Sequence, residues 1–227
     1  HNNMDELNDY ITKWVHEIKI PISVCELILA NTDESSFHAS ENMKAELSRM
    51  KFLVNQVLYA GRAAHYDEDL SISEFSLSKA VRESVKRNSA FFIARNIEVN
   101  LGLLDFSIIN DEKWVSYILD QILNNASKYT PQNGRVEIHA GEDDKAVRLH
   151  IGDNGMGIVQ QDIRRIFDKG FTGENGRKTT KSTGMGLYYS KRMADRLGIG
   201  IEAASRLNEY TEFVVAFYKM RDYFKVT

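Results

Sequence analysis

His16 and Glu17 place an imidazole beside a carboxylate in the segment WVHEIKIPIS, Trp14 to Ser23. A carboxylate that keeps one ring nitrogen protonated leaves the other free to attack, the base-plus-orienter arrangement of covalent catalysis. Consecutive helical residues do not face one another, so this pair needs help from the backbone. Pro21 offers it. Lacking an N–H, it cannot bond the carbonyl of Glu17, and its ring opens that turn, so a bend is expected one turn below the histidine. A lone surface histidine is the plain alternative. A zinc helix of the H-E-x-x-H type is excluded, because residue 20 is isoleucine.

Three downstream segments supply what such a nucleophile would need: QILNNASKYT at Gln121 to Thr130, GDNGMGI at Gly152 to Ile158, and STGMGLYYSK at Ser182 to Lys191. Gln121 and Asn125 sit one helical turn apart, so their amide oxygens share a face; a solvated polar face has the same spacing. Lys128 and Tyr129 add a cation for phosphate and a ring for a base. Magnesium favours a few hard oxygens plus phosphate oxygens, and a neutral amide gives one without adding charge beside a triphosphate. Asn124, one residue off, should point elsewhere. Asp153 follows a strand and precedes the Gly155/Gly157 turn, where a carboxylate can accept from an exocyclic amine and select adenine. Alone, it reads better as an ordinary Asp-Gly hairpin turn. What decides against that is a second glycine turn, Gly184 and Gly186 after Thr183, which opens a helix at Leu187; bare N–H groups at a helix start bind phosphate. Between the turns, Gly170, Gly173 and Gly176 alternate with Lys169, Arg177, Lys178 and Lys181. No P-loop or dinucleotide fingerprint occurs. The chemistry these parts permit is transfer of a phosphoryl group from a nucleotide to an imidazole.

In the order and spacing of these four segments the chain resembles, over nearly its whole length, the catalytic portion of bacterial two-component sensor histidine kinases. The resemblance implies that His16 is the phosphoacceptor and Glu17 its acid/base partner. It implies that Asn125 helps hold magnesium, with Gln121 at a position often filled by a second Asn. The glycine turns and the cationic stretch look like a Bergerat-type ATP site and its lid, accompanied by Phe167 and Phe171. ATP and Mg²⁺ are thus the expected cofactors, and a response-regulator receiver domain the expected acceptor of the phosphoryl group on an aspartate. WVHEIK followed by Pro is similar to kinases of Gram-positive bacteria that respond to antimicrobial peptides. That implies an ABC transporter as a partner through a membrane portion absent from this chain, and a place on the cytoplasmic side of the membrane. Family members that also dephosphorylate their partner usually carry Thr or Asn four residues after the His. Ile20 stands there and cannot orient a water, which puts phosphatase activity in doubt. A chaperone or repair ATPase of the same nucleotide fold would not need the His16 hairpin, and a non-catalytic scaffold would be expected to lack Asn125, Asp153 or the paired glycines.

The elements that must position these groups divide in two. Across residues 1–66, Leu7, Ile11, Trp14, Ile18, Pro21, Cys25 and Ile28 recur in steps of three and four. After NTDESSFHAS the pattern resumes at Met43, Leu47, Met50, Val54, Val57, Gly61 and Ala64, giving a helical hairpin. Val15, Ile22, Leu29, Leu53 and Leu58 are left over, so a homodimeric four-helix bundle is expected. Residues 67–73 read as a linker and 74–227 as the catalytic ATP-binding domain. Strands are expected near Ser73, IEVNLGLL, GRVEIHAGE, AVRLHIGD and EFVVAFYKM, and helices through LSKAVRESVKRNSAFF, DEKWVSYILDQILNNASKY and YYSKRMADRLG. The fold class is α+β, the second domain an α/β sandwich. With 227 residues, 43% of them apolar, the chain can bury a sizeable core. A net charge of −3 without a basic stripe argues against a nucleic-acid partner. The single cysteine, Cys25, excludes an internal disulfide framework and belongs in the hairpin core. No apolar run is long enough to span a bilayer, and the abrupt helical start suggests a piece of a longer protein.

Overall fold

The structure is a computed structural model that describes residues 2–31, 37–64, 70–173 and 184–219. Helices α1 (Asn2–Asn31) and α2 (Phe37–Ala64) form the hairpin. Helix α1 continues through Pro21, which is buried together with Cys25. Trp14 ties the pair together by donating its indole N–H to the Leu53 carbonyl at 2.6 Å. On α2 the seam departs from expectation. Leu47 and Val54, expected inside, are 47% and 41% exposed, whereas Leu53, expected to be left over, is 4% exposed. Heptad spacing assumes that one helix is the only cover, but α2 also packs against α3 of the second unit.

That unit runs β1 (Ile72–Ser76), α3 (Leu77–Ala94), β2 (Glu98–Leu101), β3 (Ser107–Asp111), α4 (Glu112–Tyr129), β4 (Arg135–Glu142), β5 (Ala146–Asp153), α5 (Gly186–Arg196), β6 (Ile199–Arg206) and β7 (Tyr210–Tyr218). Strand β1 begins inside the stretch expected to be linker. Its partner β3 and the edge strand β6 were not among the expected strands. Gly200, Ala203 and Ala204 weaken the strand signature of β6. Strand β3 is five residues long and leads straight into α4 through Asp111, whose carboxylate accepts the Lys113 and Trp114 N–H groups as an N-cap.

The main sheet has the order β2-β4-β5-β7-β6. Only β2 and β4 are parallel; the other neighbours are antiparallel. Its inner face, with Ile138, Leu149, Ile151 and Val215, packs on Ile118, Leu119, Ile122 and Leu123 of α4. Each such side chain fully buried contributes about 1.5–3 kcal/mol, which fixes α4 on the sheet. The last turn of α4 is fixed again by Arg95, whose guanidinium donates to the carbonyls of Ser127 at 2.8 Å and Lys128 at 2.6 Å. The helix bearing Gln121, Asn125 and Lys128 is therefore a rigid support. The α+β class holds.

Candidate nucleotide site

A cavity of ≈ 830 Å³ opens where α4, the end of β5 and the start of α5 meet the hairpin. This lies within the range of small-molecule sites. Of the residues the sequence singled out, Gln121, Asn125, Lys128, Tyr129, Asp153, Gly155, Gly157, Phe171, Gly184, Gly186 and Leu187 all border it. Glu17 borders it too, contributed by α1 across the interface. His16, the adjacent residue, is exposed and does not line the cavity. Ile20, one turn further, is 38% exposed. Phe167 lies edge-on to Phe213 at 6.5 Å, behind the wall rather than in it. Lys169 is exposed and outside the lining. Arg177 and Thr183, with Lys178 and Lys181, lie outside the described residues.

Asp153 is buried, with its Oδ1 accepting the Gly155 N–H at 2.9 Å. Burial pushes its carboxyl up to about 6, against the pull of that hydrogen bond. Asp153 thus needs a donor, which an amine on a base would provide. Two glycines are forced here. A Cβ on Gly155 would lie 2.5 Å from the Tyr129 carbonyl oxygen, and Gly157, at φ +65°, would put one 2.1 Å from that of Arg206. At Gly186 a Cβ would meet Gln121 Oε1 at 2.2 Å, so the start of α5 passes directly over that amide.

Gln121 is almost fully buried, and its oxygen accepts the Gln56 Nε2–H at 2.8 Å. Asn125 is only part-buried. Lys128 carries a depressed pKa, because burial disfavours the ammonium; Glu17 opposes this and Arg49 adds to it. Asn124, expected to point elsewhere, also borders the cavity and is buried.

The cavity suits a nucleotide and a hard cation. Thr130 Oγ1 borders it buried and without a hydrogen-bond partner among the described residues. No group of three His, Cys, Asp or Glu side chains among the described residues forms a metal cage. Among the bordering side chains, Asn125 offers a neutral amide oxygen of the hard kind that magnesium accepts beside phosphate. The sequence reading missed Thr211, paired with Asp153 across β7, and the α2 residues Arg49 and Gln56; all three border the cavity. A periodicity argument sorts such side chains only into inside and outside.

Residues 110–221 match the family model described as histidine kinase-, DNA gyrase B- and HSP90-like ATPase. Over 216 residues the chain is 33% identical to the sensor histidine kinase YxdK of Bacillus subtilis, covering 94% of this chain and 66% of that protein. It is 30% identical over 214 residues to the sensor protein BceS of the same organism, with coverages of 94% and 63%. To the sensor histidine kinase GraS of Staphylococcus haemolyticus it is 32% identical over 213 residues, with coverages of 93% and 61%. The chain thus spans a little under two thirds of the length of these curated relatives. Among solved structures, the Acinetobacter baumannii histidine kinase AdeS is similar at a TM-score of 0.62, with 17% identity, over 91% of this chain and 98% of that one. Histidine kinase ThkA, solved in complex with the response regulator TrrA, is similar at 0.63, with 21% identity, over 96% of this chain and 64% of that one. These last two likenesses concern the fold.

Proposed function

The chain belongs to the sensor histidine kinases, and we propose that it is an ATP-dependent protein-histidine kinase that phosphorylates His16 and passes the phosphoryl group to an aspartate of a response-regulator receiver domain. One observation carries this reading: Glu17, next to the candidate nucleophile, borders the same cavity as Asp153, Asn125 and Lys128.

Asp153 accepts the exocyclic amine of adenine, and the Gly155/Gly157 turn lets the backbone come close to the base. Lys128 and Asn125 face the phosphates. A magnesium ion held by Asn125 would neutralise charge on the transferring phosphoryl group. His16 forms the N–P bond as the bond from the terminal phosphorus to its bridging oxygen breaks. That electron pair leaves on ADP, and Glu17 takes the proton from the second ring nitrogen. Because His16 lies outside the cavity while Glu17 lies inside, the domain shifts along the hairpin before transfer. The exposed stripe of Ile11, Val15, Ile22 and Leu29 on α1, with Leu47, Val54 and Leu58 on α2, is covered in a homodimer. By the same reading the kinase works on the cytoplasmic side of a membrane, with an ABC transporter as partner of the complete protein.

The test is incubation with γ-labelled ATP and magnesium. Label that is acid-labile, base-stable and lost in His16→Gln is expected. Equal labelling of His16→Gln would overturn the assignment.

A further inference from the structure

Across the boundary between hairpin and domain, helix α2 packs mainly on α3 and meets α4 through single side-chain contacts that run in opposite directions along the two helices. Gln56 Nε2–H is bonded to Gln121 Oε1 at 2.8 Å. Three residues onward in α2, the Tyr59 ring lies 4.8 Å from that of Tyr117, four residues back in α4. In the other direction, Arg49 lies seven residues before Gln56 and Lys128 seven after Gln121. Both steps are about 10.5 Å along a helix. Continued in those directions, the contacts bring Arg49 opposite Lys128, and both border the cavity. Phe52, one turn from Arg49, packs edge-on against Phe91 of α3 at 6.5 Å and steadies that part of α2. Arg49 has no hydrogen bond or ion pair among the described residues.

Two cations converging on one cavity repel, and an anion between them turns the repulsion into a binding site. We propose that Arg49 is a phosphate-binding residue of the nucleotide site, delivered by α2 to the terminal phosphate of ATP opposite Lys128. This rests on the kinase reading above. Asp153 fixes the adenine end within the domain, so the hairpin end of the cavity, where Glu17 enters, takes the far end of the triphosphate. The planar guanidinium fork matches phosphate oxygens in pairs. The pKa of Lys128 is lowered first by burial; Glu17 at the same end raises it, and Arg49, lowering it, is close enough for the two cations to sense each other. The consequence is selective. ATP ties hairpin and domain together through Arg49, and ADP, one phosphate shorter, does not.

Calorimetry with MgATP and MgADP on the whole chain tests this. Arg49→Gln is expected to weaken MgATP on the order of tenfold or more and to leave MgADP within about twofold. Arg49→Lys, which keeps the charge without the fork, is expected to fall between. Retained MgADP binding also certifies that the variant domain is folded. Equal losses for both nucleotides, or no loss for either, overturn the proposal. If the unmodified chain binds neither nucleotide, the kinase reading itself fails.

Discussion

Asp153 is kept where its charge is disfavoured. Its carboxyl is raised from 3.8 to about 6 by burial, so between those values the folded chain holds a proton that the unfolded chain has released. Stability from this group is complete below the unfolded value and is lost as pH rises through about 6. At pH 7 the cost is at most about 3 kcal/mol. Asp153→Asn removes it. The variant is expected to unfold at a higher temperature than the unmodified chain at pH 7.5, to match it near pH 4, and to lose MgATP binding, because with its one oxygen on the Gly155 N–H the amide turns an NH₂ donor toward the base amine. Thermal unfolding at both pH values, with calorimetry, checks this; a lower midpoint at pH 7.5 would mean that Asp153 carries no such cost. Asp153, Asn125 and the glycines were legible because their types are rare answers to local demands: a charge before a tight turn, an amide on a helix face, a missing Cβ where backbones cross. Thr211 was not, since a threonine in an alternating strand meets no demand visible in one dimension.

Helix α2 carries the contacts that a one-dimensional reading could not reach. Its heptad pattern predicts one buried stripe, yet it has covers on two sides: α1 through Trp14 and Leu53, and the domain through Phe52, Gln56 and Tyr59. Leu47 and Val54 stay exposed in a single chain because neither cover reaches them. Strands β4, β5 and β7 were legible from clean alternation, and β6 was hidden by its glycine and alanines. Tyr59 is the apolar hinge-pin of the docking face, with ring centroids 5.1 Å from Trp114 and 4.8 Å from Tyr117. The docked pose leaves His16 outside the cavity, so loosening it should help transfer while withdrawing Arg49 from ATP. Tyr59→Ala is expected to raise the labelling rate of His16 at saturating ATP severalfold and to raise the KM for ATP. Initial rates over an ATP series measure both. Slower labelling at an unchanged KM would show instead that the docked pose is the one that transfers.

At the scale of the molecule, the two units were legible because each has its own period, helical in the hairpin and alternating in the sheet. Their arrangement was not, because it depends on Gln56, which looks ordinary in isolation, meeting Gln121 across the boundary. That arrangement bears on which subunit a domain serves. Glu17 of the same chain borders the cavity, and the Gln56–Gln121 bond holds the domain on its own hairpin. A shift along that hairpin brings the cavity from Glu17 to His16 one residue away, whereas reaching the second hairpin of a dimer requires breaking the whole docking face. Transfer is therefore expected within a subunit. Differently tagged His16→Gln and Asn125→Asp chains, co-expressed so that mixed dimers form, give a direct reading. The first keeps a working nucleotide site but no acceptor; the second keeps the acceptor but loses its neutral magnesium ligand. Under transfer within a subunit neither half of the mixed dimer can be labelled. Acid-labile label appearing on His16 of the Asn125→Asp chain would show that the domain reaches across to its partner's hairpin.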